Sequence, residues 1–186
     1  INDVESFAKV LKDLLELQKE KGKFDYILLD TRGGTDLTNI GATLAAGAYL
    51  LVTEADKPSW DITEQVLATL SSNHKKMNVP IQELGFIINK DMIDDDSMIQ
   101  YLKERWEIPY MGKATFDAKV IESFQQSSVV IENEPYTDFV NAIVHIIHQQ
   151  FQSSGWNNYH IAKLAQWTSP SLRKQFTSVL KNTLGL

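Results

Sequence analysis

Three short, nearly unbroken apolar runs constrain this chain more than any other feature: residues 24–30, 49–53 and 84–89. None alternates apolar with polar residues, so each reads as a strand buried on both faces. Stretches of helical period separate them. Val4, Phe7, Leu11, Leu14, Leu15 and Leu17 predict an amphipathic helix over 3–20, closed by Gly22. Small residues at 40–46 predict a short helix fit for close packing on a sheet, and Pro58-Ser59 opens another with Ser59 as N-cap. Asp94, Asp95 and Asp96 lead into a helix through Trp106, and 117–126 and 135–151 read as helices. Residues 108–110 read as a fourth strand or its exit, 129–131 as a short extended piece, and 157–167 and 170–183 as a final helical pair.

Strands regularly followed by helices predict an α/β fold, a mostly parallel sheet flanked by helices, with extra C-terminal helices. Three core strands are few for such a sheet and leave a parallel neighbour unaccounted for. The chain has 186 residues and no cysteine, which excludes a disulfide framework or a thiolate nucleophile and fits a reducing, cytoplasmic setting. Its charge is uneven. Residues 1–138 hold 14 Lys and Arg against all 24 acids, whereas 139–186 hold Lys163, Arg173, Lys174 and Lys181 and no acid. A basic tail on an acidic body suits DNA or an anionic membrane, or folds back on the body itself.

The run 24–30 ends in Asp30 and breaks into Thr31-Arg32-Gly33-Gly34. In a parallel α/β sheet, ligands bind just beyond the carboxyl ends of the strands, so Asp30 falls where a metal-bound phosphate would lie. The same residues also suit a turn in which Asp30 only caps the next helix. Asn89-Lys90-Asp91 closes another strand, and a carboxamide there suits the edge of a purine or a plain turn. Met111-Gly112-Lys113-Ala114-Thr115 lacks the earlier glycine of a phosphate loop and is not one. His145 and His148, three apart, have no acidic third ligand following them and read as helix-surface residues rather than a metal pair.

The order of these segments resembles the later two-thirds of the ParA/MinD-type ATPases, P-loop NTPases with a deviant Walker A motif, over about residues 1–150. Residues 24–34, 46–53, 84–89, 108–109 and 120–135 carry the resemblance, with Glu122 at the family's glutamate and 130–135 at its late strand and acidic-proline turn. Arg32 and Gly33 stand where that family has two prolines, and Ser127 and Val129 where it has glycine and proline.

The resemblance implies that residues 1–151 are a partial ATPase domain and 152–186 a helical extension. The phosphate loop and its strand would lie upstream of residue 1, and that strand would pair with 24–30. By the same resemblance the cofactors are ATP/ADP and Mg²⁺. Asp30 would order the water shell of Mg²⁺, and Gly34 would sense the γ-phosphate through its backbone; these two are the catalytic candidates. Asn89 would contact adenine and the loop at Pro109 would flank the base. The intact parent would hydrolyse ATP as a homodimer in partitioning or positioning, with an activating partner protein, whereas this fragment alone would not. The basic amphipathic stretch 170–184 would lie on an anionic membrane, bind DNA or pack internally. The competing expectation is a non-catalytic α/β interaction module that has lost its phosphate loop.

Overall fold

The computed structural model describes residues 3–22, 27–92, 96–134 and 136–153, with the backbone alone at 132 and 148–153. Ten elements follow in order: α1 (Val4–Glu20), α2 (Leu37–Ala46), β1 (Ala48–Glu54), α3 (Lys57–Met77), β2 (Gln82–Asp91), α4 (Asp96–Trp106), β3 (Tyr110–Thr115), α5 (Ala118–Gln125), α6 (Val130–Asn133) and α7 (Asp138–Ser153). The strands form one parallel three-stranded sheet in the order β1-β2-β3, flanked by helices. Two compact units divide the chain, Ile1–Phe86 with Gln100–Pro109, and Ile87–Ile99 with Tyr110–Leu186.

In the first unit, apolar spacing and caps explain the helices. Asp3 accepts from the Ser6 amide at 2.8 Å to start α1. Asp56, not Ser59, caps α3: its carboxylate accepts from the Ser59 amide at 2.7 Å, three residues on, with Pro58 in the first turn. The core gathers Ala8 of α1, Ile40, Leu44 and Ala45 of α2, and Val66 and Leu70 of α3. The small residues of α2 serve contact with α1 more than with the sheet. A Cβ on Gly41 would stand 2.5 Å from a Phe7 ring carbon, so only glycine permits this approach. Phe86 and Trp106 meet edge to face at 5.0 Å. The Glu64 carboxylate receives the forked guanidinium of Arg105 and ties α3 to α4, its second contact 2.8 Å long.

In the second unit, Val130, Val140 and Val144 form a buried cluster with Val120, Ile131 and Phe139 against it. β3 packs on α7, where a Cβ on Gly112 would meet Ile146 Cγ1 at 2.7 Å. Lys119 of α5 reaches Glu122 at 3.3 Å and Glu134 at 3.4 Å.

Two further sequence expectations are corrected by the structure. Residues 27–30, the described part of the run 24–30, form no strand, and Ile27 and Leu28 are 42% and 92% exposed. A strand exists only through ladder bonds to a neighbour, and the order β1-β2-β3 among the described residues includes no strand beside this segment. Of residues 129–131, only Val129, the N-cap of α6, is extended; 130 and 131 are helical. Ser127 turns left-handed at φ +54°, and Glu134 closes a helical turn on the Val130 carbonyl at 2.7 Å. The expected helical pair at 157–183 lies outside the described residues.

Candidate functional site

Asp30 and Gly34 belong to the first unit, on the segment leading into α2. Asp30 is exposed and takes no part in capping the helix. That role falls to Asp36, whose carboxylate accepts from the Thr38 amide at 2.9 Å and the Asn39 amide at 3.0 Å, and from the Thr38 hydroxyl. The Thr38 hydroxyl, then the Asn39 amide, hold the Asp36 carboxyl below the usual carboxylate range. With Asp36 closing the helix, the Asp30 carboxylate stays exposed ahead of it.

Gly34 has φ +117°, a conformation that a side chain would strain, and an added Cβ would meet nothing within 4 Å. Its carbonyl is held from the far side by the carboxamide of buried Asn39. The turn is thus fixed at its base while its outer surface stays open. A lone exposed carboxylate does not suit a protein-built metal cage, and among the described residues no group of three or more His, Asp or Glu is placed to hold one. It does suit Mg²⁺ held through water and substrate phosphate, the usual binding mode of that ion.

Asn89 belongs to the second unit, near the carboxyl end of β2. The following Lys90 is left-handed, at φ +55°, which breaks the strand's alternation. Asp91 then ends the strand almost completely buried, at 3% exposure. Its carbonyl accepts from the Phe116 amide at 3.1 Å, and its carboxylate lies 3.4 Å from the Lys113 ammonium. The carboxyl end of β2 is therefore matched by the carboxyl end of β3, where Phe116 is half exposed and Asp117 caps α5.

Pro109 does not share this place. Its carbonyl accepts from the Phe86 amide at 2.8 Å, three residues before Asn89 on the same strand, because Pro109 enters β3 rather than leaving it. The segment that flanks the end of β2 is 115–117. Sequence reasoning named Asp91 only within the strand-end segment 89–91 and Lys113 only within a rejected phosphate loop; their pairing, and Phe116, it did not foresee. Gly112-Lys113 lies inside β3 and not in a loop before a helix, so its rejection as a phosphate loop stands. Among the described residues, no helix is long and apolar enough to cross a membrane.

A parallel sheet flanked by helices, with polar residues at strand ends, is an α/β fold of the kind that binds ligands beyond the carboxyl ends of its strands. No family model matches the sequence, and no curated protein matches it. Among solved structures the chain is similar to the cell division ATPase MinD of Pyrococcus furiosus, at 20% identity and a TM-score of 0.63, over 79% of this chain and 59% of that one. It is similar to the septum site-determining protein MinD of Pyrococcus horikoshii OT3, solved with Mg-ADP, at 21% identity and a TM-score of 0.61, over 82% and 58%. The MinD cell division protein of Aquifex aeolicus matches at 15% identity and a TM-score of 0.63, over 81% and 61%. The likeness is one of fold, and the chain spans about three fifths of the length of these structures.

Proposed function

We propose that this chain is the later part of a ParA/MinD-like ATPase that binds ATP/ADP with Mg²⁺. The observation that carries the reading is the combination of an exposed Asp30 and an open Gly34 turn with a fold like that of MinD structures, one of them solved with Mg-ADP. In this reading Asp30 orients the water shell of the ion, and the Gly34 amide meets the terminal phosphate. Asn89 reads the adenine edge, with the base lying toward 115–117 rather than at Pro109. When bound, Mg²⁺ supplies neutralisation of charge across the phosphates. The phosphate loop itself, of the deviant Walker A type, is proposed to lie upstream of residue 1. Switching by ATP-dependent dimerisation, an activating partner, a cytoplasmic setting and a role in partitioning or positioning complete the proposal.

The test uses the parent polypeptide. A Lys-Gly-Gly-x-Gly-Lys-[Ser/Thr] sequence upstream, with slow Mg²⁺-dependent ATP hydrolysis, is expected. Asp30→Ala should lower turnover by two to three orders of magnitude, roughly the effect of removing one transition-state charge contact. Unchanged turnover removes Asp30 from the mechanism.

The competing reading is an interaction module without catalysis. It is favoured by the exposed Ile27 and Leu28, an apolar pair of the kind that partner surfaces carry. No nucleotide binding by the parent, together with capture of a protein partner that Leu28→Asp abolishes, is what that reading requires.

A further inference from the structure

Asp91 is held at two points, its carbonyl by the amide of Phe116, the residue after β3, and its carboxylate by an ion pair with Lys113 of β3. Burying a carboxylate is costly, and a buried ion pair contributes little net stability compared with apolar residues of the same volume. Stability alone is therefore a poor account of a charged pair at this place. The pair stands one residue beyond Lys90, whose left-handed backbone separates it from Asn89. A strand with regular alternation would set the direction of residue 89 by pleat alone. Here the left-handed Lys90 interrupts that pleat directly after residue 89, and Asp91 holds the far end of the interruption.

The orientation of a carboxamide decides which purine it accepts. Adenine presents a donor, N6–H, beside the acceptor N7, so an Asn bonds both in one plane. Guanine presents two acceptors, O6 and N7, and the carboxamide oxygen then faces O6 without a proton between them. An amide free to rotate presents its nitrogen to either base and loses the distinction.

We propose that Asp91 and Lys113 are a positioning pair that fixes Asn89 and so sets adenine over guanine selectivity. This rests on the reading of Asn89 as the base contact.

The experiment measures affinities of the parent protein for ATP, GTP and inorganic tripolyphosphate, with thermal midpoints alongside. Asp91→Asn and Lys113→Met should each lower the ATP over GTP preference roughly tenfold, a modest share of the hundredfold that a 1 Å misplacement can cost. Tripolyphosphate affinity should not change, Lys113→Arg should retain the preference, and the double variant should lose no more than either single one. An unchanged preference in Asp91→Asn and Lys113→Met, with only the thermal midpoint lowered, makes the pair a structural brace and overturns the proposal. Asn89→Ala separates the two levels. If it abolishes the preference while the pair variants do not, the positioning role alone falls; if it leaves the preference intact, the base-contact reading falls and takes this proposal with it.

Discussion

Gly112 sits in the middle of β3 with φ +142°, and an added Cβ would meet Ile146 Cγ1 at 2.7 Å and Cδ1 at 3.1 Å. Gly112→Ala therefore incurs backbone strain and a clash against a buried side chain of α7. Each effect is worth about 1–3 kcal/mol, so a loss of roughly 2–6 kcal/mol is expected from chemical denaturation. In an Ile146→Ala background the clash disappears and the strain stays, so the same glycine change should then cost about half as much. A full cost in both backgrounds would exclude the contact. This residue also shows the limit of what the sequence conveys. Gly-Lys at 112–113 was legible as not being a phosphate loop, yet neither the glycine's contact with α7 nor the lysine's with Asp91 has a local signature. Both depend on residues 22 to 34 positions away. That Asn89 falls near a strand end was legible because the strand and the polar residue are adjacent in sequence. Ile108-Pro109 reads equally well as the entrance or the exit of a strand, and the structure puts it at the entrance of β3.

At the scale of the element, helices were read more surely than strands for a physical reason. A helix satisfies its own backbone, and its caps lie three residues from their partners, as Asp3 and Asp56 do. The run at 24–30 has the composition of a buried strand, but 27–30 forms none, since a strand must borrow its hydrogen bonds from a neighbour. The Asp36 cap of α2 gives a test at this scale. Its folded pKa is depressed, first by the Thr38 hydroxyl. Its contribution to stability is thus complete above the ordinary carboxylate pKa of 3.8 and is lost as pH falls through the lower folded value. Asparagine caps helices about as well but does not titrate there. Asp36→Asn should leave the thermal midpoint near neutral pH almost unchanged and make its decline below about pH 4 shallower. An equally steep acid decline in the variant would show that other carboxylates govern it, with Asp3, depressed by its bonds to Ser6, the next to examine.

For the whole molecule, the segregation of charge makes the strongest demand. Residues 1–138 carry net charge −10, whereas the acid-free stretch 139–186 offers Lys163, Arg173, Lys174 and Lys181, so non-specific binding to DNA is expected to run through these four cations. If all four neutralise phosphates, the logarithm of affinity should fall against the logarithm of salt concentration with a slope of about −3.6, or roughly a hundredfold between 50 and 200 mM. Deleting 168–186 removes three of them and should reduce that slope to about −0.9. A membrane-bound tail behaves differently. Each cation adds about 1 kcal/mol on an anionic surface, while the apolar residues Leu172, Phe176, Val179, Leu180 and Leu184 would supply a part that salt does not screen. Liposome binding should then survive 200 mM salt and vanish on the same deletion. Replacing Phe176 and Leu180 by Asp separates the surfaces further, since it should abolish liposome binding at any salt and weaken DNA binding by charge alone. If the deletion alters neither surface and only lowers the thermal midpoint, the tail packs on its own protein and the four cations answer the acids of the body.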